Sequence, residues 1–340
     1  MITKVKADYD SVVVPSDVDL EALGRRLPAR PRTRFAPAPT GWLHLGHVLN
    51  ARYVWDVSRA LAGQVLLRIE DHDRERCRPE FETGILDDLD WLGFDPDVFA
   101  TNAFRAGRCE GRQSDREQIY LDAVGILRAQ GLVYGCDCSR KDILETSAGR
   151  EAADELWYPG TCRHRGLDLR SGVGWRVRSD TAASEPEQFP ERFNDGASAP
   201  EIFNDGASAP EIFNDAMLGP QAQDPMAQCG DLLIRDRRGN WTYQFAVVVD
   251  DWRQAIDLVI RGRDLLASTG RQIRLARLLG RRQPPVFLHH PLIMKSADRK
   301  LSKSDRDTGV RDLRAAGWTR EQVLAAAIRS VRLEKPDRRV

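Results

Sequence analysis

The chain has 340 residues, with 51 Lys plus Arg against 51 Asp plus Glu, and six cysteines. That length allows a full core in one large or two modest domains, and the even charge balance excludes any nucleic-acid inference from net charge alone. No N-terminal apolar segment and no run near 18 apolar residues occurs, so neither export nor membrane insertion is expected and the default location is cytoplasmic.

In chain order, residues 1–31 read as a polar extension ending in Pro28 and Pro31. A strand end is expected at 33–36, followed by two prolines and Thr40-Gly41, which require a tight loop. His44-Leu45-Gly46-His47 comes next, and Val48, Leu49, Tyr53, Val54 and Val57 then recur at helical spacing. A strand, a glycine-containing turn and a helix start together form an anion site, because unpaired amides at the helix N-terminus point at phosphate. The alternative is an ordinary strand–turn–helix with buried histidines.

Residues 64–69 (QVLLRI) predict a buried strand that ends in Glu70-Asp71-His72-Asp73, placing carboxylates at the C-terminal edge of a parallel sheet. Residues 79–92 and 114–130 predict amphipathic helices, the second leading to Val133-Tyr134. Residues 136–166 are rich in turn formers and carry Cys136-x-Cys138 and Cys162, a spacing that favours metal or free thiols over a disulfide framework. FNDGASAPEI then occurs twice, at 193–202 and 203–212, and a third FND opens at Phe213. Gly, Pro and Asn-Asp in each copy predict a surface loop grown by duplication. Residues 232–234 and 241 onward predict a hairpin about Arg238-Gly239-Asn240, and 256–260 a strand. Residues 245–249 are apolar and fit either strand or helix. Ser268 or Thr269 is positioned to cap the next helix. Arg271, Arg274 and Arg277 share one face of it, as a solvated face or a phosphate contact. A closing helix with a Thr319–Gln322 capping box is expected over 311–331.

Lys300-Leu301-Ser302-Lys303-Ser304 follows a second apolar run at 286–294. Alone it reads as an exposed basic loop. Together with His44–His47 it resembles the paired signatures of class I aminoacyl-tRNA synthetases, and Arg34-Phe35-Ala36-Pro37-Ala38 ahead of the histidines resembles the glutamyl group. The resemblance covers about residues 32–305. It implies an α/β Rossmann-type parallel sheet split by a zinc-containing insertion. The expected division is 1–31 extension, 32–134 first nucleotide-binding half, 135–230 insertion, 231–310 second half and 311–340 helical tail.

The implied chemistry is attack of a glutamate carboxylate on the α-phosphorus of ATP, with Mg²⁺ held mainly by ATP oxygens. His44 and His47 suit the α-phosphate side, Gly46 a close backbone approach, and Lys300 and Lys303 the leaving pyrophosphate. For L-glutamate, the resemblance assigns Arg34, Phe35, Ala36, Pro37, Ala38, Glu70, Tyr243 and Arg261. Arginine suits a side-chain carboxylate because its fork binds bidentately. Without the resemblance, surface ion pairs and core packing of Tyr243 explain these residues as well. The family usually has Ser where this chain has Ala38, so one hydroxyl contact to substrate is missing. Cys136, Cys138, Tyr158 and Cys162 resemble a zinc site of the short glutamyl members, with His164 as a competing fourth ligand. Only 36 residues follow Ser304. This brevity matches the glutamyl-queuosine tRNA(Asp) synthetases, and implies tRNA(Asp) bearing queuosine as the acceptor and a monomer. A truncated glutamyl-tRNA synthetase and a non-catalytic binding paralogue are the alternatives.

Overall fold

The computed structural model describes residues 18–147, 156–180, 209–296, 299–300 and 309–329. The chain enters through α1 (Leu20–Gly24), β1 (Arg32–Phe35) and α2 (Leu45–Ala60), then β2 (Gln64–Leu67), which pairs parallel with β1. Helices α3 (Pro79–Leu92), α4 (Thr101–Arg105) and α5 (Glu117–Ala129) lead to β3 (Val133–Cys136) and α6 (Arg140–Thr146). Next come β4 (Gly174–Val177), β5 (Glu211–Asp215), β6 (Gly219–Gln223), α7 (Pro225–Cys229) and β7 (Leu232–Arg235). Helix α8 (Tyr243–Arg253), β8 (Leu258–Gly262), α9 (Thr269–Leu278) and β9 (Val286–His290) return to parallel pairing, β8 with β9. Strands β10 (Met294–Ser296) and β11 (Arg299–Lys300) form an antiparallel pair, and α10 (Val310–Ala315) and α11 (Arg320–Arg329) follow.

The parallel strands carry the main core. β8 lies beside β1, since the Asp257 amide donates to the Arg32 carbonyl at 2.9 Å. Valine, leucine and isoleucine side chains on both sides of these strands are buried, as expected when helices cover both faces. α2 packs its Val48, Tyr53, Val54 and Val57 stripe into that core, and Phe35 meets Trp55 there at 5.4 Å between ring centroids. Between the two parallel pairs, β3, β4 and β7 form an antiparallel sheet. Among the described residues no helix is long and apolar enough to cross a membrane.

Several local expectations change. Residues 18–31 are no free appendage, because Leu23 is buried and Val18, Leu20 and Leu27 pack on the main core. α6 was hidden in the turn-rich composition, although Ser139 and Asp142 cap it reciprocally. Residues 245–249 belong to α8, and the predicted closing helix is two helices separated at Gly317. The third FND is a strand, not a surface loop: β5 pairs with β6, and Phe213 packs on Phe287. The first copy and most of the second lie outside the described residues. The arginines of α9 form neither a solvated nor a phosphate-facing row. Arg274 and Arg277 both pair with buried Glu211 of β5, at 2.5 and 2.6 Å, and Arg271 is buried.

Candidate active site

α2 begins at Leu45 with His44 as its N-cap. The His44 Nδ1 accepts the Gly46 amide at 3.0 Å, and the His47 Nδ1 accepts the His44 amide at 3.2 Å. A ring nitrogen that accepts a hydrogen bond carries no proton, so both rings are neutral in this arrangement and bear their N–H on Nε2. Each is therefore a fixed donor beside the positive end of a 16-residue helix. Gly46 is required by packing: a Cβ there would lie 2.9 Å from the His44 ring. The same turn receives the chain after the lysine-rich motif, since His44 bridges Gly309 and the Val310 amide donates to the Leu43 carbonyl at 2.7 Å. Lys300 lies on the backbone of β11, while 301–304, including Lys303, lie outside the described residues.

Beside this turn the ends of β1, β2 and β8 bring charged groups together in the interior. Arg34, at the end of β1, pairs with Asp251 at 3.2 Å and donates to the Ile260 carbonyl at 3.3 Å. Arg68, fully buried just past β2, donates to Asp251 at 2.6 Å and Gln254 at 2.9 Å and faces Glu70 at 3.5 Å. Burial alone lowers an arginine's proton affinity, but the Asp251, Asp250 and Glu70 carboxylates hold Arg68 above its usual value. Asp250 is itself held by Arg116 at 2.7 Å, Gln113 at 2.8 Å and Tyr120 at 3.0 Å. Burial raises the Glu70 carboxyl, against the pull of Arg68, Arg34 and His72.

Arg261, at the end of β8, differs from its neighbours. It is 3% exposed, and among the described residues no carboxylate pairs with it. Neutral groups hold it instead: His289 Nε2 at 3.0 Å, Gln272 Oε1 at 2.8 Å and Thr269 Oγ1 at 2.8 Å. Burial lowers its proton affinity; Tyr243 and, at longer range, the Asp251 carboxylate oppose that shift, while the like charge of Arg34 reinforces it. Tyr243, the first residue of α8, is raised by burial and interacts with Arg261, Glu70 and Arg34.

The structure thus brings together Arg34, Glu70, Tyr243 and Arg261. It does not bring the Phe35 side chain to them: that ring lies in the core, and only the Phe35 carbonyl works here, accepting the Arg68 amide at 2.9 Å. Pro37 likewise contributes its carbonyl, to the Glu70 amide at 3.1 Å. Ala36 and Ala38 are half-buried on the same loop. Residues unassigned from sequence include Asp215, Thr269, Gln272, His289 and His290; the His-His pair closing an apolar run was their one legible sign. His290 stacks on Tyr53 at 4.6 Å, bonds Asn50 at 3.1 Å, and is lowered by burial to about 4.

Beyond the main core, at the end of β3 and in the loop before β4, the Cys136, Cys138 and Cys162 sulfurs lie within 4.8 Å of one another. The Tyr158 Oη sits 3.3 Å from Cys136 and 3.8 Å from Cys138. Zinc–sulfur bonds of about 2.3 Å in a tetrahedron set neighbouring ligands roughly 3.8 Å apart, so these donors fit Zn²⁺. His164 is exposed and outside the group. Gly230 fixes Tyr158: its φ is +64°, and a Cβ there would lie 1.9 Å from the Tyr158 carbonyl oxygen.

The catalytic-domain model of class I tRNA synthetases (E and Q) matches residues 31–332. The chain belongs to this family. This class I synthetase is accordingly a ligase of the aminoacyl-tRNA synthetase type. A Rhodobacter capsulatus protein named glutamyl-Q tRNA(Asp) synthetase is 38% identical over 295 residues, covering 84% of this chain and 95% of that protein. One of the same name from Albidiferax ferrireducens is 40% identical over 277 residues, 80% of this chain and 84% of its own. The crystal structure of a glutamate tRNA ligase from Elizabethkingia meningosepticum in complex with its amino acid matches with a TM-score of 0.61 at 25% identity. The match covers 85% of this synthetase but 53% of that chain, so this chain spans about half the length of that ligase.

Proposed function

We propose that this protein activates L-glutamate with ATP and transfers it to queuosine in the anticodon loop of tRNA(Asp). The observation that carries the glutamate assignment is Arg261, a buried guanidinium held by neutral partners and lacking a carboxylate. A buried cation with no carboxylate at hydrogen-bond distance, supported only by Tyr243 and the more distant Asp251, is costly unless an anion arrives, and the side-chain carboxylate of glutamate meets that need. Glu70 takes the substrate ammonium, and Tyr243 adds a phenolic hydrogen bond. The substrate α-carboxylate then attacks the α-phosphorus: a carboxyl O–P bond forms, and the P–O bond to pyrophosphate breaks. The His44 and His47 Nε2–H donors stabilise charge on the α-phosphate, with little reorganisation because both rings are already held by the helix cap. Mg²⁺ bound to ATP neutralises the phosphates, and Lys300 and Lys303 serve the leaving pyrophosphate. Zn²⁺ on Cys136, Cys138, Cys162 and Tyr158 is structural, tying β3 to the 156–162 loop. The names of the relatives support the queuosine acceptor.

Pyrophosphate exchange with glutamate in the absence of tRNA tests the activation step. Glutamate incorporation is then expected into tRNA(Asp) carrying queuosine and not into tRNA(Asp) lacking it. Absence of any exchange points to a binding paralogue, and charging of tRNA(Glu) at its acceptor end points to an ordinary glutamyl enzyme.

A further inference from the structure

The third FND segment delivers one residue to the floor of the glutamate site. Asp215 closes β5, and both it and His289 of β9 are inaccessible to solvent. The Asp215 Oδ2 lies 2.6 Å from His289 Nδ1. Its Oδ1 is already occupied, accepting the Met217 and Leu218 amides at 3.0 Å each. On the far side of the imidazole, Arg261 Nε donates to His289 Nε2. Arginine nitrogens only donate, so Nε2 must be the acceptor and the His289 proton must sit on Nδ1, facing the carboxylate. Burial lowers the proton affinity of His289, in keeping with a neutral ring.

We propose that Asp215 is a positioning residue for glutamate recognition: it selects the His289 tautomer that aims Arg261 at the substrate side-chain carboxylate. The rest of the cradle fixes the same plane. The Gln272 amide donates to Gln244 Oε1 at 2.8 Å, which turns Gln272 Oε1 toward Arg261, and Phe287 lies beneath the guanidinium at 5.4 Å. The repeat is thereby absorbed into the site, since the end of its second copy supplies Glu211, which pairs with the α9 arginines, and the third FND supplies Asp215.

The inference rests on the glutamate-activating reading, and Asp215→Asn separates the two. An asparagine must keep its carbonyl oxygen on the Met217 and Leu218 amides, which turns its NH₂ group toward His289 Nδ1. The imidazole proton then moves to Nε2 and confronts Arg261 Nε–H, donor against donor. In full-length protein with glutamate-dependent exchange, Asp215→Asn is expected to raise KM for glutamate about 10- to 100-fold, with kcat changed by less than about threefold. The ¹⁵N shifts of the His289 ring nitrogens are expected to exchange their protonated and unprotonated character. Asp205→Asn, at the matching place in the second copy, should leave KM unchanged. A second pair removes dependence on one variant's folding. His289→Asn keeps the link to Asp215 but loses the acceptor for Arg261, whereas His289→Gln keeps that acceptor, so only the former should raise KM strongly. An unchanged KM and unmoved ring nitrogens in Asp215→Asn, or equal effects of the two His289 variants, overturn the inference. Wild-type protein without glutamate-dependent exchange would instead remove the functional reading on which it stands.

Discussion

Two buried arginines sit at the ends of β2 and β8, the strands that flank β1, and are partnered in opposite ways. Arg68 is enclosed by carboxylates, with Asp251 at 2.6 Å, Glu70 at 3.5 Å and Asp250 at 3.9 Å. Arg261 is enclosed by an imidazole, an amide and a hydroxyl. A paired guanidinium stitches the ends of β2 and α8 together and has no charge left to offer a ligand. One without a carboxylate partner is held in shape by neutral acceptors, and under the proposed function its charge serves an incoming anion. Burial alone, the same in both, does not separate scaffold from receptor; the sign and number of the partners do.

The largest effect is expected at the paired residue. Arg68→Met takes from buried Asp251 its partner at 2.6 Å, leaving it only Arg34 at 3.2 Å, while Asp250 keeps Arg116; loss of one partner from such a buried network costs about 3–5 kcal/mol. Chemical unfolding should register that loss, and a change under about 1 kcal/mol would remove Arg68 from the scaffold. Arg261→Met should act the other way. KM for glutamate is expected to rise about 100-fold, roughly 2.7 kcal/mol of binding, with a smaller stability loss than Arg68→Met. A variant that unfolds as readily as Arg68→Met while keeping its KM would reverse the two roles.

The contrast also marks what sequence could show. That Arg34, Glu70, Tyr243 and Arg261 come together was legible because each falls in or beside a recognisable block at a strand or helix end, and their binding role is the proposal. The main helices were legible from their apolar spacing, and α3 spans Pro79–Leu92, as its pattern predicts. The Asp215–His289–Arg261 chain was not. Its members are 74 and 28 residues apart, and no local period encodes a pairing made by strand packing. Composition misled in two places for one reason. The third FND looked like a polar loop, and the α9 arginines like an exposed row, because charges that neutralise each other across β5 and α9 can both be buried.

The cysteine cluster extends the comparison from arginine to the proposed zinc ligands. Tyr158 is buried with the Arg176 guanidinium 3.7 Å from its ring centre, a cation–π contact that holds the ring with its Oη beside the Cys136 and Cys138 sulfurs. Burial and the neighbouring Cys136 and Cys162 thiols push the phenol up, so it ligates a metal only by giving up that proton. Tyr158→Phe is therefore expected to weaken zinc binding about tenfold, near 1.4 kcal/mol, and His164→Ala to leave it unchanged. Metal content after dialysis against a competing chelator measures both. Loss of zinc from the His164 variant alone would transfer the fourth position to that residue.

The smallest effect tests whether every unpaired buried charge is a receptor. Asp88 on α3 is 3% exposed, and its Oδ2 has no hydrogen-bond partner. Burial pushes it up to about 7, with Arg314 and Arg311 too distant to pair and only partly opposing the shift. A carboxyl of this kind escapes its cost by holding a proton, a route closed to Arg261 at neutral pH because guanidinium stays charged. The folded state therefore binds a proton that the unfolded chain releases near its model value of 3.8. The associated stability is fully present below about pH 4, falls as pH rises, and is lost above about 7. Asp88→Asn should flatten that slope and gain on the order of 1 kcal/mol at pH 8 relative to pH 5, read from urea unfolding at the two values. An unchanged slope would mean that Asp88 is ionised and compensated in the folded protein, and that the protonation escape distinguishing it from Arg261 does not operate.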